Sequence, residues 1–187
     1  MHTLESDRLL LRPFEPNDLV PLLAMQSRPD VVRWLYHEPR DEAQALELLE
    51  KKLASTEFRD GGGSIDFAVV LKQTGEVVGD VDLYLTSAEH RQGEIGFVFH
   101  PDHQGHGYAT EAGRLLLDLA FREYGLHRVV GRLESRNTAS ARVLERLGMR
   151  READLVENEW VKGEWQSETV YAILDREWQT AEADGVR

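Results

Sequence analysis

The residues whose types and spacing could do chemistry gather between Glu94 and Glu111, in the run Glu-Ile-Gly-Phe-Val-Phe-His-Pro-Asp-His-Gln-Gly-His-Gly-Tyr-Ala-Thr-Glu. Gly105 and Gly107 lack Cβ atoms, so the main chain around them can take unusual dihedrals and admit a bulky anion close to its N–H groups. They stand just before a helix. Unpaired N–H groups and the macrodipole at a helix start favour negative charge, which makes a phosphate or pyrophosphate the natural ligand. A dinucleotide fingerprint would need a third glycine where Thr110 stands, and a P-loop would need a Gly-Lys-Ser/Thr ending that the run lacks. His100, His103 and His106 recur every third residue, yet they straddle Pro101 and span a strand end and a glycine turn, so no shared metal is expected.

Those residues need elements to position them. Ile95 to Phe99 is an aromatic and β-branched run that reads as a strand, and Pro101 forbids its extension. Thr110 to Tyr124 reads as an amphipathic helix with Leu115, Leu116, Leu119 and Ala120 inward, stopped by Gly125. Upstream, Leu9 to Leu11 reads as a first strand ended by Arg12-Pro13, and Asn17 or Asp18 can cap a helix through Leu19, Leu22, Leu23 and Gln26. A short helix is expected from Pro29 to about Leu35, and Asp41 caps a third, with Ala45, Leu48, Leu49 and Leu53 as its apolar stripe. Gly61-Gly62-Gly63-Ser64 is the clearest flexible break, a loop and not a domain linker. Phe67 to Leu71 and Glu76 to Leu85 flank a hairpin turn at Lys72 to Gly75. On the second of these strands Asp80 and Asp82 alternate with Val81 and Leu83, giving an acidic side that can face solvent. Arg128 to Leu133 is the next strand, and Asn137 or Thr138 starts a helix ended by Gly148. Met149 to Val156 and Glu168 to Leu174 then form an antiparallel pair around a polar connection holding Trp160, Gly163 and Trp165.

The chain has 187 residues, enough for one domain with its own core. It has no cysteine, which rules out disulfides, iron–sulfur clusters, thiolate zinc sites and a cysteine nucleophile, and makes a cytoplasmic location the simplest reading. No charged region followed by an apolar run opens the sequence, and no apolar run approaches about 18 residues, so no signal peptide or membrane span is expected. Twenty-two basic against 34 acidic residues give a net charge of −12, a field that repels nucleic acid and favours a cationic partner, or that only aids solubility.

The pattern Gln-x-x-Gly-x-Ala at 104 to 109 resembles the acetyl-coenzyme A loop of the GCN5-related N-acetyltransferase (GNAT) superfamily. Further blocks follow in order: Leu9-Leu10-Leu11-Arg12-Pro13, Thr110-Glu111-Ala112, Asn137-Thr138-Ala139-Ser140, Val143-Leu144-Glu145 and Leu147-Gly148-Met149. Together they are similar to the RimJ/RimL-type branch, which acetylates N-termini of ribosomal proteins, and the likeness spans roughly Thr3 to Trp178. It implies an α/β (α+β) fold: a single domain over residues 1–180 with a frayed tail at 181–187. The sheet would be mixed but mostly antiparallel, of about six to seven strands, with splayed central strands flanked by helices.

It also implies acetyl-CoA as co-substrate, with no metal. The pantetheine arm would pair with the backbone edge of Phe97, Val98 and Phe99, and the pyrophosphate would rest on the loop of Gln104, Gly105, His106, Gly107, Tyr108 and Ala109. Asn137 matches the asparagine that reaches the pantetheine arm and can equally be a helix cap. Of the basic set Arg142, Arg146, Arg150 and Arg151, Arg142 is the candidate for the 3′-phosphate, against a solvated charge. Direct transfer needs a neutral amine. Glu94 is the first candidate base, by likeness to the histone-acetylating branch; Asp80, Asp82 and Glu111 are alternatives, and the plainer reading of Glu94 is a solvated strand-end carboxylate. Where the superfamily often has a tyrosine as acid, this chain has Leu144, and Ser140 is the hydroxyl left near the sulfur. Trp34 and Tyr36, with Asp80 and Asp82, are candidates to line an acceptor pocket; the aromatics can equally be packing residues. The reading is thus an N-acetyltransferase acting on a protein N-terminus or a small cationic amine such as a polyamine, aminoglycoside or amino-acid-like metabolite. The alternative is a catalytically weak acyl-CoA-binding sensor. A homodimer through a sheet edge or the Trp160 to Trp165 connection is possible; no nucleic acid or membrane partner is expected.

Overall fold

The structure, a computed structural model, describes residues 2–58 and 62–183, without the side chains of residues 181–183. Gly61 of the glycine break and residues 184–187 lie outside the described residues. In chain order the strands are β1 (Leu4–Glu5), β2 (Leu9–Arg12), β3 (Ser64–Leu71), β4 (Val77–Ser87), β5 (Gln92–Phe99), β6 (Arg128–Glu134), β7 (Arg150–Val161) and β8 (Glu164–Leu174). The α-helices are α1 (Leu19–Gln26), α2 (Pro29–Val32), α3 (Glu42–Ala54), α4 (Tyr108–Asp118), α5 (Thr138–Arg146) and α6 (Asp175–Ala183). The strands form one eight-stranded sheet in the order β1-β2-β3-β4-β5-β6-β8-β7, one more than the upper expectation, the two-residue β1 being the addition.

All neighbours are antiparallel except β5 and β6, whose parallel pairing requires the crossover that α4 supplies. That pairing covers only Gln92↔Arg128, Gly93↔Val129 and Glu94↔Val130. Beyond it β5 stays with β4 as far as Phe99, and β6 stays with β8 as far as Glu134. The sheet therefore opens as a V between Ile95–Phe99 and Gly131–Glu134.

Period-two alternation sorts the residues by face. On one face Val81, Leu83, Ile95, Phe99, Val129 and Leu133 join Ala112, Leu116, Leu144 and Trp178 in the main core, beneath α4, α5 and α6. On the other, Phe14, Leu22, Leu49 and Ala68 make a smaller core under α1 and α3. Asp41 starts α3 as the sequence implies: its Oδ1 accepts from the Gln44 N–H at 2.9 Å and Gln44 answers to the Asp41 N–H.

Three expectations change. The short helix stops at Val32 instead of Leu35. Residues 157–161 and 164–167 are strand, not connection, so β7 and β8 form one long hairpin turning at Lys162-Gly163, both with positive φ. Helix α6 runs to Ala183, three residues into the stretch expected to be a tail.

Candidate active site

The glycine loop is built as its sequence implies. Gly105 and Gly107 have φ of +81° and +82°, the left-handed region in which a Cβ is strained, and α4 begins at Tyr108. Gln104 to Gly107 are exposed and Tyr108 and Ala109 half-buried. Arg8 clasps the loop from below: its Nη1 donates to the His106 carbonyl at 3.1 Å, its guanidinium lies over the Tyr108 ring at 4.7 Å, and it is ion-paired with Glu111. Glu111 also accepts from Ser6 Oγ at 2.6 Å. Glu111 is thus a brace between the β1–β2 turn and α4, which removes it as a candidate base. His106 stacks on Tyr108, whereas His100 and His103 meet each other edge-on at 6.0 Å.

The open edge of β5 has a definite polarity. The His100 N–H donates to Val78 O, toward β4. Alternation along a strand then turns the peptide groups of Phe97 and Phe99 the other way, into the V, and those of Val98 toward β4. Gln104 Nε2 already reaches the Phe99 carbonyl from that side, at 3.2 Å. Of the three residues expected to offer their backbone, Phe97 and Phe99 face the gap.

Helix α5 points its first turn at the same end of the sheet. Asn137 caps it, Oδ1 accepting from the Ser140 N–H at 3.2 Å, and Ser140 is half-buried beside it. Arg142 is exposed on the same helix. Position 144 faces the core, not the gap: Leu144 is buried over Gly131, where a Cβ would lie 2.8 Å from its methyl groups.

A cavity of about 130 Å³ opens on the other side of β5 and β6, lined by Trp34, Leu35, Tyr36, Glu94, Arg132, Leu133, Glu134, Glu159, Gln166, Ser167 and Glu168. The long hairpin roofs it, because Lys162 Nζ donates to Val32 O at 2.6 Å and so draws Glu159 and Gln166 over Trp34 and Tyr36. Four glutamates against one arginine line it. Arg132 spans Glu94 (Nε, 3.3 Å) and Glu168 (Nη1, 3.1 Å). Glu134 is held by Arg136, while Glu159 stands near the Tyr36 phenol and has no basic partner among the described residues. Burial pushes the Glu94 carboxyl above its ordinary range and Glu168 adds to this, against the pull of Arg132. The Tyr36 phenol is likewise raised, by burial and by Glu159. A wider hollow of about 550 Å³, lined by Ser6, Arg8, Glu111 and Arg114 among others, is open and lies away from these groups.

Sequence reasoning thus brought Trp34, Tyr36 and Glu94 to one cavity but missed Arg132, Glu134, Glu159 and Glu168. A signal existed in β6, where Arg132 and Glu134 alternate with the buried Leu133 on the face that also carries Glu94. Asp80 is a correction. It is 2% exposed and accepts from Lys52 Nζ at 3.3 Å, so the expected solvent-facing acidic side is covered by α1 and α3 and Asp80 does not reach the cavity. Asp82, on the same face, lies against Gly96 of β5.

A sheet split beside a parallel pair, a glycine loop at a helix start and an acid-lined cavity beside the split fit an enzyme that holds an anion-bearing donor on its main chain and a cationic acceptor among its carboxylates. The chain matches the family described as acetyltransferase (GNAT) domain over residues 8–150, and it belongs to that family as an N-acetyltransferase. It is 33% identical over 178 residues to the uncharacterized N-acetyltransferase YnaD of Bacillus subtilis (strain 168), covering 95% of this chain and 99% of YnaD. Among solved structures, a GNAT-family acetyltransferase from Bacillus anthracis superposes with TM-score 0.85 at 31% identity, covering 94% of this chain and 99% of that one. Spermidine N-acetyltransferase from Vibrio cholerae, in complex with CoA and spermine, superposes with TM-score 0.79 at 25% identity, covering 93% and 99%.

Proposed function

We propose that the protein transfers the acetyl group of acetyl-CoA to a primary amine of a small polycation, a polyamine in the first instance. The observation that carries this is the cavity itself, in which Glu94, Glu134, Glu159 and Glu168 outnumber the single lining cation Arg132. A ligand with one ammonium at Glu94 and a second at Glu159 would pair charges that the protein leaves in excess, in a partly desolvated site where such pairing is stronger than in water. The Vibrio neighbour, solved with spermine, supports the same class. Among superfamily branches, the ordered blocks from Leu9 to Met149 favour the RimJ/RimL-like one.

The residues present fit acetyl-CoA. The exposed N–H groups before α4 suit a pyrophosphate, and the peptide edge of Phe97 and Phe99, which no strand covers, suits an amide-bearing arm as an added strand. That co-substrate would supply an activated acetyl thioester. The chain's own part is to hold the thioester carbonyl against a backbone N–H of β5, to orient the amine and to take up its proton. Ser140 would hydrogen-bond the departing sulfur, whose thiol has an ordinary pKa of about 8.5 and leaves without a strong acid.

A thiol-release assay with acetyl-CoA against diamines, polyamines, aminoglycosides, amino acids and N-terminal peptides tests the reading. Fastest turnover on diamines and polyamines is expected. Preference for peptides with neutral side chains would transfer the assignment to protein N-termini, and CoA binding without any turnover would favour the sensor.

A further inference from the structure

The two faces of the gap between β5 and β6 differ. On the α4 side Ile95, Phe99 and Leu133 are buried in the main core, with Phe97 packed against them. The other face presents Glu94, Gly96 and Val98 of β5, all half-buried, with Arg132 and the acid-lined cavity beside them. If the acyl-bearing arm runs inward from the glycine loop along β5, its reactive end meets the closed end of the V, between Ile95 and Phe97. An amine coming from the cavity therefore arrives over Gly96.

Two carboxylates flank that point. Glu94 is engaged by Arg132. Asp82 is not engaged: it pairs across the strands with Gly96, its half-buried side chain occupies the space a residue-96 side chain would fill, and a Cβ there would lie 2.5 Å from Asp82 Oδ1 and 2.9 Å from Oδ2. Only glycine at 96 permits this approach. Asp82 Oδ1 is buried and has no hydrogen-bond partner among the described residues, which leaves Oδ2 as the oxygen for an incoming amine. The cation nearby is already used, because Lys52 Nζ bonds Asp66 Oδ1 at 2.7 Å and Asp80 Oδ1 at 3.3 Å, and Asp66 takes a further bond from Ser64. Burial works against charge on Lys52, but Asp80 and Asp66 outweigh it and keep it protonated.

We propose that Asp82 is the general base of the acetyl transfer, with the Glu94–Arg132 pair orienting the acceptor and not deprotonating it. Resting on the amine-acceptor reading above, the step balances as follows. The acceptor ammonium gives one proton to the Asp82 carboxylate, and the freed nitrogen lone pair forms the N–C bond as the C–S bond breaks. A second proton leaves the nitrogen for the departing thiolate, the third remains on the amide, and Asp82 returns its proton to water. The groups that face Asp82 are Lys52 of α3, Asp66 of β3, Asp80 and Tyr84 of β4, and Glu94 of β5. Burial pushes the Asp82 carboxyl up to about 7, with Asp66, Asp80 and Glu94 adding to it and Lys52 opposing, which matches a base to neutral operating pH.

Two readouts decide it, one of which needs no turnover. Carboxyl-carbon NMR of the whole protein labelled in aspartate should show one aspartate titrating near pH 7, and that resonance should vanish in Asp82→Asn. In kinetics with acetyl-CoA and a diamine, Asp82→Asn should lower kcat by about 10²–10³-fold, leave the acceptor KM within about threefold and remove the acid limb near pH 7 from kcat/KM, whereas Glu94→Gln should keep that limb. Wild-type protein that acetylates none of the amines overturns the acceptor reading itself, before any variant is compared. With turnover present, an Asp82→Asn enzyme that keeps its acid limb or its kcat overturns the base assignment alone, as does a spectrum in which no aspartate titrates between about pH 6 and 8.

Discussion

The two sides of the split sheet recognise by different means. On the loop side the groups on offer are main-chain: N–H groups before α4, set by left-handed glycines at 105 and 107, and the peptide edge of Phe97 and Phe99. On the cavity side they are side chains, four glutamates and two aromatics drawn from the α2–α3 connection, β5, β6, β7 and the β8 hairpin arm. Main-chain recognition depends on backbone conformation and is indifferent to most side chains. Side-chain recognition depends on charge count, and a small number of substitutions can redirect it without disturbing the first.

The largest expected effect breaks the loop side. Gly105→Val should weaken CoA binding about 100-fold by calorimetry, since a β-branched residue at φ +81° is strained and obstructs the N–H groups. The fold should survive, because a Cβ at 105 meets nothing within 4 Å in the protein alone. Next, Glu159→Gln should raise the KM for a diamine about tenfold while CoA affinity stays within about twofold, the separation the comparison demands.

A smaller effect concerns stability. Folded Asp82 holds its proton up to about pH 7, whereas an unfolded aspartate releases it near about 3.9. Between those values the folded state binds more protons, so stability falls as pH rises and this contribution is gone above the folded pKa. Asparagine does not titrate. Asp82→Asn should therefore gain about 1–2 kcal/mol relative to wild type on going from pH 6 to pH 8, read from denaturant melts at each pH. The smallest effect sharpens the role of Asn137. Asn137→Ala should cost about 1 kcal/mol through the lost cap on Ser140 N–H, and Asn137→Ser should restore stability. If Asn137 also touches the co-substrate, serine will restore the melting temperature but not the CoA affinity.

The same contrast explains what could be read in the sequence. The loop side is contiguous: a strand stopped by Pro101, two glycines and an amphipathic helix announce themselves between Gln92 and Asp118, and Asn137 and Asp41 announce their caps. The cavity side is assembled by tertiary contacts. Glu94 meets Glu168 only because β8 inserts between β6 and β7 in the sheet, and Glu159 meets Tyr36 only because Lys162 ties the hairpin to α2. The alternation of Asp80 and Asp82 was legible, but not that α1 and α3 cover that face and turn Asp80 into a partner of buried Lys52. Nor could spacing show that Leu144 fills the hollow over Gly131.

The most direct test of the central claim, that a surplus of carboxylates on one side of the sheet selects a polycationic amine, is kcat/KM with acetyl-CoA for amines of matched length carrying one, two and three ammonium groups, in wild type and in Glu159→Gln. The account predicts that wild-type kcat/KM climbs with each added charge and that the climb is flattened in the variant, with CoA affinity unchanged. Equal rates across the series in wild type, or a slope that Glu159→Gln leaves intact, would contradict it.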